Sequence, residues 1–241
     1  MQEKVTIITV CYNALEMLKK TMQSVDNQNY NNLEYIVIDG CSTDGTVDFL
    51  KNYKGKLSKY VSEPDKGIYD AMNKGVSFAT GNYVIFLNAG DLFAENDTLD
   101  KIFSSKNYEA DVIYGDVLKT GKDGKLFLKP AEKSHNAHKM YFCHQSSLTK
   151  TECLKEFPFD LRYKMSADFN FFKTLTKHDK VFKQLNIPIS IFDTSGISNT
   201  RRSAGLKENI KIVKCQDNFW DKIKLLPRLY FVCWYAQMRG K

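Results

Sequence analysis

The chain has 241 residues, 43% of them hydrophobic and 26% charged, proportions of a folded globular protein that exclude a fibrous repeat or a disordered chain. The net charge of +7 lies entirely in residues 201–241, which hold ten Lys or Arg against three acids, so the rest of the surface is neutral and nucleic acid is a poor partner. Six scattered cysteines without a C-x-x-C pair argue against structural zinc, no run reaches the ~18 apolar residues of a membrane span, and the apolar run Val5 to Val10 is too short for a signal-peptide core, so a reduced, cytoplasmic protein is expected.

Val5-Thr-Ile-Ile-Thr-Val10 is a β-branched run of the kind buried on both faces of a parallel sheet. Asn13 is placed to cap the helix that follows, in which Leu15, Leu18, Met22 and Val25 recur at helical spacing. A second strand over Leu33 to Ile38 leads through the turn cluster Gly40 to Gly45 into a helix near Thr46 to Tyr53. A weaker strand, Leu57 to Val61, is followed by a helix from about Ile68 to Ala79 and a strong strand, Tyr83 to Leu87. This alternation predicts an α/β fold with a mainly parallel sheet and helices on both faces. Further on, Asp111 to Leu118 and Leu126 to Leu128 read as a hairpin about Lys122-Asp-Gly-Lys125, Met165 to Leu175 as a helix, Phe182 to Phe192 as strand, and the chain from Leu206 as long helix. A domain over 1–205, with a ligand-binding half over 1–95 and a second lobe over 96–205, and a basic helical segment over 206–241 are the expected divisions.

In an open parallel sheet, ligands collect at the carboxyl ends of the strands. The four predicted strands end in Thr9-Val-Cys-Tyr-Asn13, Asp39-Gly-Cys-Ser-Thr-Asp44, Glu63-Pro-Asp-Lys-Gly67 and Asn88-Ala-Gly-Asp91, so four polar clusters converge on one crevice. Each alone would be ordinary turn chemistry. Ile8-Thr-Val-Cys-Tyr-Asn13, Tyr35 to Thr46, Glu63-Pro-Asp65-x-Gly67-Ile-Tyr-Asp70-Ala-Met-Asn73-x-Gly75 and Gly81-x-Tyr83-x-x-x-Leu87-Asn88-x-Gly90-Asp91 together resemble the family 2 glycosyltransferases, above all the bacterial members that build O-antigen, capsule and similar exopolysaccharides.

The resemblance implies the GT-A fold, a nucleotide-diphosphate sugar donor with a UDP-sugar foremost, and an inverting transfer. By carry-over, Thr9 and Tyr12 pack on the base, Asp39 accepts a hydrogen bond from the base or ribose, and Asn13, Ser42, Asp44 and Ala89 line the same donor site. Lys66 and Gly67 would meet phosphate or the donor sugar, with Asp65 and Asp70 on its hydroxyls. The family normally carries Asp-x-Asp after the fourth strand to hold a divalent cation, Mn²⁺ or Mg²⁺. Here those positions read Asn88-Ala89-Gly90-Asp91, leaving Asp91 as the candidate ligand and Asn88 a neutral oxygen beside it. Asp168 matches the family's catalytic base, with Asp160 in reserve, and His144-Gln145 would border the acceptor side. His135 and His138 lie in a polar stretch and read as surface loop.

The dibasic loop Ser198-Asn-Thr-Arg201-Arg202-Ser-Ala-Gly205 is suited to closing over the donor diphosphate with an arginine. Lys and Arg interleaved with Phe219, Trp220, Tyr230, Phe231 and Trp234 suit a helix lying on an anionic membrane surface, on the inner face of the cell membrane. No Gln-x-x-Arg-Trp of processive relatives occurs, so addition of a single sugar to a lipid-linked or saccharide acceptor is expected. A sugar nucleotidyltransferase would need a glycine-rich loop after the first strand, which Thr9 to Asn13 lacks; a dehydrogenase would need G-x-G-x-x-G there. A non-catalytic subunit of a polysaccharide assembly complex is the reading from another class.

Overall fold

In the computed structural model, which describes residues 2–103, 108–121, 124–193 and 202–238, the β-branched runs form strands as the sequence predicts. β1 (Val5–Cys11) lies between β2 (Leu33–Asp39) and β4 (Tyr83–Phe86), and β3 (Leu57–Ser62) flanks β2, all four parallel. Helices α1 (Leu15–Asp26), α2 (Thr46–Asn52) and α3 (Ile68–Phe78) make the crossovers. Successive strand residues face opposite sides of a sheet. Val5, Ile7 and Cys11 therefore pack in one core with Leu18, Met22 and Val25 of α1, while Ile8 and Val10 pack in the other with Met72 and Val76 of α3.

The second half adds β5 (Leu92–Phe93), α4 (Thr98–Phe103), β6 (Val112–Thr120), β7 (Leu126–Lys129), β8 (Ser147–Lys150), α5 (Thr151–Glu156), α6 (Ala167–Lys177) and β9 (Phe182–Phe192). β8 enters antiparallel between β4 and β6, β6 runs parallel to β9, and β5 pairs antiparallel with β9, so one sheet of order β3-β2-β1-β4-β8-β6-β9-β5 spans both halves. The predicted hairpin is β6 and β7, joined with Val117 opposite Lys129; Lys122 and Asp123 of its turn lie outside the described residues.

The tail forms α7 (Arg202–Gln216) and α8 (Phe219–Met238). The expected division at 205/206 falls inside α7, and the tail is not set apart from the domain. Ile210, Ile212, Val213, Leu229 and Cys233 are buried in the same core as Met72 and Phe172. Lys173 of α6 and Asp217 form an ion pair at 2.7 Å with side chains only 2% and 0% exposed. The opposite face of α8 is open. Trp220, Ile223, Tyr230, Phe231, Trp234 and Met238 are all exposed and recur at helical spacing, which makes a single apolar stripe along the helix. Among the described residues no helix is long and apolar enough to cross a membrane.

Candidate active site

The loops after β1 and β2 are stitched together by the side chains the sequence singles out. Asn13 adopts a left-handed conformation (φ 47°) and does not cap α1; its Oδ1 accepts from the Thr43 N–H at 2.8 Å. Asp44 does the capping from across the gap, accepting the Leu15 N–H at 2.9 Å and, with its other oxygen, the Thr46 hydroxyl at 2.6 Å. The Thr46 hydroxyl, followed by the Leu15 and Thr46 main-chain N–H groups, holds the Asp44 carboxyl below its usual range. Ser42 accepts the Asn13 N–H at 2.7 Å and donates to Asp39 at 2.5 Å. Asp39 is fully buried and also accepts from the Ser42 N–H and the Ser62 hydroxyl, so both its oxygens are engaged within the wall and the contact with base or ribose that the resemblance implies is not open in this arrangement. These residues order the crevice wall before any ligand arrives.

Thr9 is corrected. By strand alternation its side chain faces α1, fully buried, with its hydroxyl 3.0 Å from Tyr35 Oη, so no side-chain contact with a base is open to it. Tyr12, in contrast, is 65% exposed at the strand end. Its ring lies over Gly40, where a Cβ would come 3.2 Å from Tyr12 Cδ2 and 2.6 Å from Asp65 Oδ2. Tyr12, Gly40 and Asp65 thus form one aromatic and acidic wall. Asp65 accepts the Gly67 N–H at 2.8 Å and Asp70 accepts the Lys66 N–H at 2.9 Å, which fixes the entry to α3, with Gly67 at φ 119°. Lys66 itself is exposed.

The turn after β4 is held from both sides. The Gly90 N–H donates to Thr21 of α1 at 2.9 Å and the Ala89 N–H to the Val10 carbonyl at 3.1 Å, so Ala89 joins the turn to β1. Asp91 is 3% exposed and accepts the Asn88 N–H at 3.2 Å and the Asp193 N–H at 3.0 Å. Burial pushes its carboxyl up to about 7, with the Asp193 charge adding, against the pull of those two N–H groups and of His144. Among the described residues no trio of His, Cys, Asp or Glu forms a ready metal site. The donor chemistry of the turn nevertheless fits a hard cation: Asn88 Oδ1 is buried without a hydrogen-bond partner, beside the buried Asp91 carboxyl.

Asp168 lies in the first turn of α6, where the resemblance sets the base. Its Oδ1 accepts from the Tyr69 hydroxyl at 3.0 Å, and its Oδ2 is 3.6 Å from His144 Nδ1. Burial alone would raise this carboxyl, but His144, the Phe169 N–H and Tyr69 outweigh it and hold it below the usual carboxylate range. Tyr69, pushed well up by burial and by the charge of Asp168, keeps its proton and remains a donor. His144 packs edge-on against Phe86 at 6.1 Å, and its Nε2 is buried without a hydrogen-bond partner. Electrostatically it pulls down the carboxyls of both Asp91 and Asp168. Gln145 is buried and accepts from the Cys143 thiol at 2.9 Å. Asp160, the reserve base, is turned away into a forked pair with Arg162 at 2.6 Å. Arg202 opens α7 and is exposed; Arg201 lies outside the described residues.

Residues 6–179 match the profile of glycosyl transferase family 2. The chain belongs to that family. The glycosyltransferase is 29% identical over 206 residues to the PGL/p-HBAD biosynthesis glycosyltransferase of Mycobacterium bovis (strain BCG / Pasteur 1173P2), covering 81% of this chain and 79% of that one. Its fold is similar to the mannosyltransferase PcManGT of Pyrobaculum calidifontis, solved with GDP-Man and Mn²⁺ (TM-score 0.71, 17% identity, 97% of this chain and 70% of that one). It is also similar to S. aureus TarS 1-349 solved with UDP-GlcNAc (TM-score 0.66, 17% identity, 89% and 68%). The GT-A fold expected from the motifs is therefore the fold of the glycosyltransferase.

Three residues of the site carry no role in the sequence reading. Tyr69 stands inside a quoted motif, but only the folded chain aims its hydroxyl at Asp168 across 99 positions. Glu208 of α7 accepts the main-chain N–H groups of Lys164, Met165 and Ser166 at 2.9, 2.9 and 3.0 Å, and so fixes the entry to α6. Asp193, just past β9, reaches the turn after β4. Neither Glu208 nor Asp193 leaves a signal in local spacing.

Proposed function

We propose that the glycosyltransferase transfers a single sugar, with inversion, from a nucleotide-diphosphate sugar to a lipid-linked or saccharide acceptor in bacterial surface-polysaccharide synthesis, with Asp168 as the base. The observation that carries this reading is the Tyr69–Asp168–His144 arrangement at the start of α6, with Asp91 within the electrostatic reach of the same imidazole. The nucleotide sugars bound by two proteins of the same fold support the donor class, with a UDP-sugar the first to test.

In this reading Tyr12 stacks on the base, Asp65 and Asp70 take sugar or ribose hydroxyls, and Lys66 and Arg202 meet phosphate charge; Arg201 belongs to the same basic loop. Asp39, Ser42 and Asp44 hold the crevice wall rigid, so little ordering is left for binding to cost. Asn88 and Asp91 would hold a divalent cation, Mn²⁺ or Mg²⁺, which when bound supplies charge neutralisation for the diphosphate. Asp168 accepts the proton of the acceptor hydroxyl as that oxygen attacks the face opposite the diphosphate. Tyr69 and His144 fix which Asp168 lone pair faces the acceptor and keep the carboxylate ionised. His144 and Gln145 border the acceptor side.

The apolar stripe of α8, with Lys222, Lys224 and Arg228 on the same helix, suits docking on an anionic lipid leaflet at the cytoplasmic face of the cell membrane, next to a lipid-linked acceptor. The test is a panel of nucleotide sugars with Mn²⁺ or Mg²⁺, with and without lipid-linked acceptors, followed by nucleotide-diphosphate release. Acceptor-stimulated release is expected. Formation of nucleoside triphosphate and sugar 1-phosphate when pyrophosphate is added to the panel would instead indicate a nucleotidyltransferase, and silence across the panel a non-catalytic subunit.

A further inference from the structure

The turn after β4 lacks a carboxylate at position 90, and the fold brings one there from elsewhere. Gly90 has φ +105°, and a Cβ built on it would lie 2.8 Å from Asp193 Oδ2 and 3.3 Å from Asp193 Cβ. The Asp193 side chain therefore occupies the volume that a side chain at position 90 would take. The placement is anchored twice: β5 and β9 pair with Leu92 opposite Ile191 and Phe93 opposite Ser190, and the Asp193 N–H donates to Asp91 Oδ1 at 3.0 Å. The side chains of Asp91 and Asp193 thus flank one four-residue turn, which also holds the buried, unpartnered Asn88 Oδ1.

We propose that Asp193 is a ligand of the donor-site divalent cation, replacing in space the carboxylate that the sequence of the turn lacks. Three oxygen donors, two of them from carboxyl groups, form a set suited to a hard cation such as Mg²⁺ or Mn²⁺. Two carboxylates converging on one turn repel each other, and a cation between them removes that repulsion. The same arrangement explains the glycine: any larger residue at 90 would displace Asp193, so Gly90 in the turn after β4 and Asp193 just past β9 are one device split between two segments. This inference rests on the nucleotide-sugar reading above.

The test uses the full chain and measures Mn²⁺ binding directly by electron paramagnetic resonance in the presence of UDP, for wild type, Asp193→Asn and Asp193→Ala. UDP binding in metal-free buffer and thermal melting run alongside as checks on the fold. Both variants are expected to weaken Mn²⁺ binding about tenfold or more, since affinity at such sites follows ligand charge, while metal-free UDP binding stays within about twofold of wild type. Equal Mn²⁺ binding in all three proteins, or UDP binding by wild type with no bound Mn²⁺, would overturn the role of Asp193. Absence of UDP binding by wild type in either buffer would instead overturn the choice of donor, and repeating the titration with GDP would separate that failure from failure of the ligand assignment.

Discussion

Replacing Glu208 with Ala should destabilise the protein and slow catalysis together, although the residue lies on the tail and 40 positions from Asp168. Its carboxylate accepts three main-chain N–H groups at 2.9, 2.9 and 3.0 Å, the three that lead into α6. A hydrogen bond to a charged group is worth about 1.5–3 kcal/mol when its partner is left buried, and less when water can replace it. The Lys164 N–H is at the surface and can be rehydrated, whereas those of Met165 and Ser166 are partly buried. A loss of about 2–4 kcal/mol follows, comparable to a strong helix cap. For a chain of this size that is a melting-temperature drop of about 5–12 °C. Because Asp168 sits two residues beyond Ser166, the slackened entry should lower kcat more than it raises KM for the donor. Thermal melting and steady-state kinetics of Glu208→Ala and Glu208→Gln check this, with Gln, which keeps one acceptor oxygen, falling between Ala and wild type. A melting shift below about 1 °C, or a change confined to donor KM, would refute the reasoning.

Asp217→Asn should cost about 3–5 kcal/mol at pH 7, because it leaves Lys173 buried against an uncharged partner. Burial raises the Asp217 carboxyl but Lys173 and Lys177 outweigh it and hold it low, so its stabilisation is present above the unfolded pKa of about 3.9 and lost as pH falls through the lower folded value. Denaturant unfolding across pH should therefore show the gap between wild type and variant narrowing on the acid side. Gly40→Ala should weaken UDP binding about tenfold by pressing a methyl against Asp65 and Tyr12, an overpacking of about 1–2 kcal/mol visible in calorimetric titration. Neutralising Lys222, Lys224 and Arg228 to Gln should reduce binding to phosphatidylglycerol vesicles by up to about 3 kcal/mol at low salt, read by sedimentation. Trp220→Ser with Trp234→Ser should reduce it at all salt concentrations.

Much of the first half was legible because local chemistry decides it. Val5 to Val10 and Leu33 to Ile38 are long enough, and β-branched enough, to be strands wherever they sit, and their ends must then carry the crevice. The second half was less legible. Ser147–Lys150 has no apolar alternation and becomes β8 only because β4 and β6 leave a gap between them. Leu92–Phe93 is too short to signal a strand, yet its pairing with β9 brings Asp193 to Asp91. For Thr9 the strand alternation decides what the motif alone does not: residues 5, 7, 9 and 11 share a face, and that face is covered by α1. Asp44 shows the converse, a residue whose capping chemistry was readable but whose target, Leu15 rather than its own loop alone, required the fold. Glu208 and Asp193 are single carboxylates whose roles arise from contacts with segments 42 and 102 positions away.

The central claim, inverting transfer with Asp168 as base, is tested most directly by Asp168→Asn. With a donor and acceptor found in the panel, product formation is followed by NMR at the anomeric carbon and donor binding by calorimetry, in wild type and variant. The account predicts a product of inverted configuration from wild type, a loss of about 10²–10⁴-fold in kcat for the variant, and donor affinity within about twofold of wild type. A retained configuration, a variant that turns over at the wild-type rate, or a variant that no longer binds donor would contradict it.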